Sequence, residues 1–177
     1  MKRSDGYLLK DLKPFEKIIP YVMEKRSDAQ NFSKQIFPAE SIDKYILEKK
    51  QSGYSFSYMH VFIAAYVRVI AERPQLNRFV MNNQIYQREK IYVSMAVKRS
   101  LRDDGEETTV KFEFTGKETI FEIAEIIDKD IAKALSYSED NNTDKLAERV
   151  MSMPGFVKKL LVRTLKAMDK YNLLPKS

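Results

Sequence analysis

The amino-acid sequence predicts an α/β protein, an α+β two-layer sandwich in which a mixed β-sheet is packed by helices. Three observations support this fold class. Alternating, β-branched segments typical of strands lie in the middle of the chain, at residues 78–98 and 108–114. Helical periodicity precedes them at residues 38–73 and resumes at residue 119. Strands and helices therefore alternate first, and helices then accumulate, which is the element order of such a sandwich.

The 177 residues are most simply one domain, 1–177, which is long enough to bury a core without covalent cross-links. A content of 44% hydrophobic and 32% charged residues is typical of a globular protein, and the lack of cysteine excludes disulfides and thiolate metal sites. Charged residues interrupt every apolar run near the N-terminus, so neither a secretion signal nor a membrane span is predicted there. We expect a cytoplasmic protein.

The first third of the chain is predicted to contain short pieces, then a strand, then a helix. Pro14 and Pro20 interrupt the first segment, and Ala29–Phe37 has the pattern of a strand. The stretch PAESIDKYILEKKQSG places apolar residues on one helical face and ends at Gly53, a typical helix stop.

A second helix, YMHVFIAAYVRVIAER, follows a serine cap at Ser55 or Ser57. It is apolar nearly all round, which predicts burial on most sides. Pro74 disfavours helical geometry at Arg73 and ends the helix. Two short strands then flank Asn82-Asn83, a pair that tolerates left-handed turn conformations, so a hairpin is predicted.

The next strands are IYVSMAVKR and TTVKFEF, separated by the polar turn RDDGEE. In the second strand Val110, Phe112 and Phe114 share one face. Thr119 and Glu122 have the spacing of a capping box and open a further helix. The residues that this helix is expected to bury are Ile120, Ile123, Ile127 and Ile131.

A last helix, beginning near Pro154, is predicted to carry apolar side chains in one stripe and basic side chains in another. Residues 150–177 contain six basic residues and one acidic residue, and so account for +5 of the formal net charge of +6. Such a helix could lie on a membrane surface or on nucleic acid, but a docked helix with a solvated outer face is the commoner arrangement and is expected here. The apolar stripe is Val157, Leu161, Leu165 and Met168, and the basic stripe is Lys159, Arg163, Lys166 and Lys170.

Few residues could support catalysis. His60 is the only histidine, it lies in an apolar helix without a neighbouring acidic residue in sequence, and we interpret it as structural. One histidine without cysteine is a poor basis for a metal site, and five glycines form no phosphate-binding loop. The carboxylate pairs Asp103-Asp104 and Glu106-Glu107 flank Gly105 and are interpreted as a solvated turn.

The order of motifs resembles the catalytic domain shared by chloramphenicol acetyltransferase and the dihydrolipoamide acyltransferases of 2-oxoacid dehydrogenase complexes. The most specific match is an apolar helix, then Pro-x-Leu-Asn, then a strand leading to Val-x-Met-Ala-Val. The matching stretches are PYVMEKRSDAQ, HVFIAAYVRVIAERPQLNRFV, IYQREKIYVSMAVKR and ETIFEIAEII. The resemblance implies the CoA-dependent acyltransferase fold, with a helix that stops at Pro74 so that the chain re-enters the sheet as a neighbouring strand.

The departure from that family concerns its catalytic residues. The family's general base is a histidine in a His-x-x-x-Asp-Gly motif, helped by an upstream serine or threonine that stabilises the oxyanion. Neither element occurs here, and His60 is not followed by Asp-Gly, so it does not inherit the role. We also expect no lipoyl-bearing or subunit-binding region ahead of the domain. We therefore expect the N-terminal portion of a stand-alone acyltransferase domain, truncated and inactive alone.

The resemblance also implies partners. Acyl-CoA would be the co-substrate, with no covalently bound cofactor, and a small thiol or hydroxyl compound would be the acceptor. Family active sites lie between subunits, so a homotrimer is expected. Arg26, in EKRSDAQ, is the one residue assigned to substrate binding, with a plain surface arginine as its alternative. The competing hypothesis is a non-catalytic binding or assembly module with a basic C-terminal helix. Membrane and nucleic acid are not expected as partners.

Overall fold

The computed structural model describes residue 3 and residues 5–98, 107–136 and 149–173. It confirms a mixed α/β architecture of helices with two small antiparallel sheets. In chain order the elements are β1 (Tyr7–Leu8), α1 (Pro14–Val22), a 3₁₀ helix (Arg26–Ala29), α2 (Glu40–Gln51), α3 (Tyr58–Glu72), a second 3₁₀ helix (Pro74–Asn77), β2 (Arg78–Met81), β3 (Gln84–Gln87), β4 (Ile91–Lys98), β5 (Glu107–Phe114), α4 (Ile120–Ser136) and α5 (Gly155–Lys170).

The strands form two separate sheets. One has the order β1-β3-β2, and the other is the β4–β5 ribbon. Every strand pair among the described residues is antiparallel, so the prediction of one mixed sheet is wrong. Short connections explain the difference, because β2–β3 and β4–β5 follow each other closely in sequence and antiparallel neighbours need no long crossover.

The main core lies between the β4–β5 ribbon and helices α3 and α4. The predicted face of β5 is confirmed, since Phe112 and Phe114 are completely buried. Ile123 and Ile127 of α4 meet them, while Ile120 and Ile131 are only half-buried. Complete burial of side chains of this size stabilises a fold by about 1.5–3 kcal/mol each. The core residues are Val67, Ile70, Ile91, Val110, Phe112, Phe114, Ile123 and Ile127.

The stop after α3 is confirmed. Arg73 leaves helical geometry at φ −127° and ψ 71°, and Pro74–Asn77 forms one 3₁₀ turn before β2 begins. The buried Gln87 fixes this turn, because its amide nitrogen donates to the carbonyl oxygens of Pro74 at 2.9 Å and Asn77 at 3.3 Å. However, β2 enters the three-stranded sheet and not the β4–β5 ribbon against which α3 packs.

Two turn predictions are also confirmed. Asn82 and Asn83 have φ values of 53° and 58° and join β2 to β3 with Met81 opposite Gln84. Gly53 follows α2 with φ 88°, a conformation that favours glycine. In both places the chemistry of one or two residues is sufficient to fix the backbone.

Three local predictions are wrong. Ala29–Phe37 is not a strand: the chain leaves the 3₁₀ helix at Ala29, and residues 30–39 form no regular structure or strand pairing. A strand needs a neighbour for its backbone groups, and neither of the two sheets includes this segment. Pro20 does not break the first segment but lies inside α1. Helix α3 is not buried on most sides, since Phe62 and Tyr66 are about half-exposed.

The N-terminal residues fasten α5 to the three-stranded sheet. The buried Arg3 pairs with Asp5 at 2.9 Å, and its Nη1 donates to the carbonyl oxygen of Asp169 at 3.0 Å. Its guanidinium carbon also lies 5.8 Å from the centre of the Phe79 ring. Asn82 Nδ2 donates to the carbonyl oxygen of Lys170 at 3.2 Å. These contacts hold only the C-terminal end of α5.

Candidate functional site

His60 is the residue whose surroundings decide the catalytic question. It lies in the first turn of α3 and is only 4% exposed. The backbone N–H of Ser57 donates to its Nδ1 at 3.2 Å, which satisfies one of the free donors at the start of the helix. Its Nε2 lies 3.1 Å from Oδ1 of Asp128. Both ring nitrogens are therefore engaged.

The hydrogen bonds fix the tautomer of the ring. A backbone N–H can only donate, so Nδ1 is the acceptor and carries no proton. The proton of the neutral imidazole is consequently on Nε2, where it donates to the Asp128 carboxylate. Neither nitrogen offers a free lone pair to an incoming substrate. To act as a general base, His60 would first have to release the Ser57 cap.

Asp128 is a partner that sequence reasoning missed. It lies on α4, 68 residues from His60 in the chain, and its side chain is 64% exposed. Helices α3 and α4 both pack on the β4–β5 ribbon, and this brings the two residues together. The sequence contained one usable signal: Asp128 directly follows Ile127, which belongs to the predicted buried face of α4.

An aromatic cleft of about 340 Å³ adjoins the His60–Asp128 pair. One wall consists of rings in mutual contact: the Phe121 ring centre is 4.8 Å from that of Tyr54 and 5.3 Å from that of Phe56. Lys49 Nζ already lies 5.6 Å from the Phe121 ring centre, so a cation from the chain itself uses this surface. Ser55 and the carboxylates of Glu122, Glu125 and Asp128 also line the cleft.

Most of the other residues singled out in the sequence lie outside the described part of the structure. Arg26 begins the 3₁₀ helix Arg26–Ala29, but its side chain lies outside the described part of the structure. Asp103, Asp104 and Glu106 also lie outside the described residues, and Glu107 starts β5. No group of three or more metal-ligating side chains occurs within the described ranges.

Helix α5 is covered less than expected of a docked helix: its stripe residues Val157, Leu161 and Met168 are half-buried and Leu165 is exposed. It begins after Pro154 as predicted, yet none of its residues is buried. Leu160 is 65% exposed and Phe156 is 75% exposed. The apolar stripe instead borders a shallow open groove along the helix, lined by Val157, Leu161 and Leu165 among others. Among the described residues, hydrogen bonds from Arg3 and Asn82 join the last turn of α5 to the body.

None of the helices within the described ranges combines the length and apolar character required to cross a bilayer. Comparison of the chain with protein-family models, curated proteins and solved structures found no match.

Proposed function

We propose that this chain forms the scaffold of a CoA-dependent acyltransferase domain of the chloramphenicol acetyltransferase and dihydrolipoamide acyltransferase type. We further propose that it transfers no acyl group with its own residues alone. The main support for the lack of acyl transfer is that both ring nitrogens of His60 are hydrogen-bonded, one to the Ser57 N–H and the other to Asp128. The first statement rests on the resemblance of the motifs. The order of elements from α3 through the Pro74–Asn77 turn to β2 gives local support for the acyltransferase scaffold.

The reaction of this family requires a base that His60 does not supply. A histidine takes the proton of the acceptor thiol or hydroxyl, the acceptor attacks the thioester carbonyl, and the tetrahedral intermediate expels the CoA thiolate. Removing a general base costs a factor of about 10²–10⁴ in rate. Removing an oxyanion donor costs about 10²–10³. A chain without His-x-x-x-Asp-Gly loses both contributions, so a separate polypeptide segment would have to provide them.

The proposed partners follow from the same resemblance. Arg26 would line the substrate region, and acyl-CoA and a small thiol or hydroxyl compound would be the substrates. A homotrimer would complete the pocket between subunits. Support for a partner surface comes from the amount of apolar side chain that the described residues leave exposed, for example at Phe32, Ile36 and Phe37. Contiguous exposed apolar surface on a soluble chain usually marks an interface.

A thiol-release assay tests the proposal. The full chain is incubated with acetyl-CoA and a panel of small thiols and alcohols, and free CoA is measured against an enzyme-free blank. We expect no release above the blank. Turnover that disappears in His60→Ala but persists in Tyr66→Ala, a control on the exposed face of the same helix, would make His60 the base and contradict the proposal. Turnover that appears only after addition of a segment carrying His-x-x-x-Asp-Gly would support it.

A non-catalytic binding or assembly module is the second candidate function, and the uncovered face of α5 favours it. The basic stripe of α5 could contact phosphates, in which case binding to a DNA duplex would weaken by about one power of salt concentration per phosphate contact. Duplex binding at low salt that is lost at high salt would support this form of the candidate. No binding at low salt would exclude it.

A further inference from the structure

The apolar face of α5 has no buried residue. We define this face as Phe156, Val157, Leu160, Leu161, Leu165 and Met168. These positions recur with the three- and four-residue spacing that places side chains on one side of a helix. Phe156, Leu160 and Leu165 are 75%, 65% and 46% exposed, and the other three members are half-buried. Water therefore contacts a large part of this face, which is unfavourable unless another phase or molecule replaces it.

The opposite side of α5 carries positive charge. Lys159, Arg163 and Lys166 are exposed, and none of them forms an ion pair within the described residues. The single acidic residue of the helix, Asp169, is engaged by Arg3 at 3.3 Å. The helix thus presents an apolar strip together with uncompensated cationic charge, which is the pattern of helices that lie in the interface of an anionic bilayer.

Helix α1 carries a second exposed apolar surface. Its residues Phe15 and Val22 are 76% and 72% exposed. The two helices meet the same hairpin turn: Asn83 Nδ2 donates to the carbonyl oxygen of Pro20 in α1, and Asn82 Nδ2 donates to that of Lys170 in α5. Two exposed amphipathic helices are therefore joined through adjacent asparagines, and Lys17 of α1 adds a further exposed cation.

Other occupants fit this surface less well. A second copy of α5 would cover a strip about 24 Å long, since a helix rises about 1.5 Å per residue. At a width of about 10 Å, the helix diameter, this strip is well below the roughly 800 Å² per partner of a stable interface. A nucleic acid would neutralise the basic side but would leave the apolar strip in water. An anionic bilayer would cover the apolar face of α5 and would also attract its basic side chains.

We propose that α5, together with α1, docks on the surface of a bilayer that contains anionic lipid. The apolar face enters the boundary between headgroups and acyl chains, and the lysines and arginine extend towards the phosphates. The expectation of no membrane partner assumed a closely docked α5, whereas none of its residues is buried. The proposal is independent of acyl transfer, because no residue of the His60 cleft takes part in it.

Cosedimentation of the full chain with vesicles tests the proposal. One vesicle contains phosphatidylcholine alone, and the other an equimolar mixture of phosphatidylcholine and phosphatidylglycerol. We expect binding to the mixed vesicle at low salt and none to phosphatidylcholine alone. Binding should fall in about 1 M salt, where the Debye length is about 3 Å. The double variant Phe156→Gln with Leu160→Gln should reduce the partition coefficient at least about tenfold, because two large apolar side chains no longer enter the interface.

Two further variants separate the contribution of the apolar face to vesicle binding from that of the basic residues. Phe32→Gln with Ile36→Gln is the matched control: these side chains are 93% and 88% exposed but lie outside α1 and α5, so binding should be unchanged. Replacing Lys159, Arg163 and Lys166 with glutamine leaves the apolar face intact and should weaken binding about fivefold per charge. Circular dichroism confirms that each variant is folded.

Three results would overturn the proposal. The first is the absence of binding to either vesicle. The second is equal loss of binding in the Phe156/Leu160 variant and in the Phe32/Ile36 control. The third is a dimer in sedimentation velocity that the Phe156/Leu160 variant abolishes while no vesicle binding occurs, which would make the apolar face of α5 an interface between copies.

Discussion

The region around the β4–β5 ribbon and the region around α5 each contain a helix with an apolar stripe. The stripe is buried in the first region and largely exposed in the second. In the first region the apolar stripe of α4 meets the strand face, and Ile127 and Phe112 are completely buried. In the second region the equally regular stripe on α5 contains no buried residue: Val157, Leu161 and Met168 are only half-buried, and the neighbouring Leu160 and Phe156 are mostly exposed. Amphipathic periodicity therefore determines which side of a helix is apolar, but not what covers that side.

Helix α3 shows both outcomes within a single element. Val67 and Ile70 face the core and are nearly completely buried, whereas Phe62 and Tyr66 on the other side are about half-exposed. The helix is apolar all round because one side packs in this chain and the other side is free to contact something else. The exposed side of α3 belongs with α1 and α5 as surface that a partner could cover.

The largest expected effect comes from truncating the buried region. Phe112→Ala should lower the free energy of unfolding by about 3–5 kcal/mol, because it removes a completely buried ring and leaves a cavity. Phe32→Ala removes the same side chain at a 93% exposed position and should change stability by less than about 0.5 kcal/mol. Urea unfolding of the two variants measures the difference. Equal losses would mean that the two regions do not differ in packing as described.

The second prediction concerns the cap at the start of α3. His60→Ala should lower the free energy of unfolding by about 2 kcal/mol, since the Ser57 N–H and Asp128 both lose a hydrogen-bond partner. Asp128→Ala should cost less, because Asp128 is largely exposed and water replaces the lost contact. Thermal unfolding followed by circular dichroism compares them. A neutral His60→Ala would remove the structural role assigned to this histidine.

The third prediction concerns the capping box of α4. The Thr119 N–H donates to Glu122 Oε2 at 2.7 Å, and the Glu122 N–H donates to Thr119 Oγ1 at 3.4 Å. Thr119→Ala should cost about 1 kcal/mol of stability. The backbone and hydroxyl donors of Thr119 hold the pKa of Glu122 below its usual range. That contribution is present above the ordinary pKa of a glutamate and is lost as the pH falls through the lowered folded pKa.

The pH dependence of the free energy of unfolding provides a control for this prediction. Between pH 7 and about pH 3, below the ordinary glutamate pKa of about 4.3, the unmodified chain should lose more stability than Glu122→Gln. Glu125→Gln removes a neighbouring carboxylate that makes no hydrogen bond within the described residues, and should keep the dependence of the unmodified chain. Urea midpoints at the two pH values measure the slopes. Identical slopes for Glu122→Gln and the unmodified chain would contradict the assigned cap.

The smallest expected effect is on the open face of α5. Leu160→Ala should shift the free energy of unfolding by less than about 0.5 kcal/mol, because the side chain is mostly in water already. Ile123→Ala, an aliphatic truncation at a 1% exposed position, should cost about 2–5 kcal/mol. Chemical denaturation of both variants gives the comparison. A large loss for Leu160→Ala would mean that α5 is covered in solution.

Local signals in the sequence predicted much of the fold. Pro74, Gly53 and the Asn82-Asn83 pair each impose a backbone conformation by themselves, and the structure confirms all three. Features that need a distant partner were not predictable in this way. Ala29–Phe37 has the pattern of a strand but no neighbour to pair with. The expected acyltransferase fold rests on motif order and stays a prediction.

In the candidate site, too, local features were predictable from the sequence, whereas contacts between distant elements were not. The sequence showed that His60 was the only histidine and lay on an apolar helix, but it could not show which atoms the ring would meet. Ser57 was identified as a possible helix cap, whereas the bond from its N–H to the imidazole depends on the rotamer of His60. Asp128 arrives from another helix through packing on the ribbon. Contacts between distant elements were therefore the missing information.

Nitrogen NMR of the imidazole tests the central claim, that His60 is committed to structure and has no free lone pair. The chain has a single histidine, so one ring gives the whole signal and needs no assignment. From the two hydrogen bonds we predict an unprotonated Nδ1 and a protonated Nε2, in slow proton exchange with water because the ring is 4% exposed. A protonated Nδ1, or a ring that exchanges freely and interconverts between tautomers, would contradict the account and return His60 to the list of possible catalytic bases.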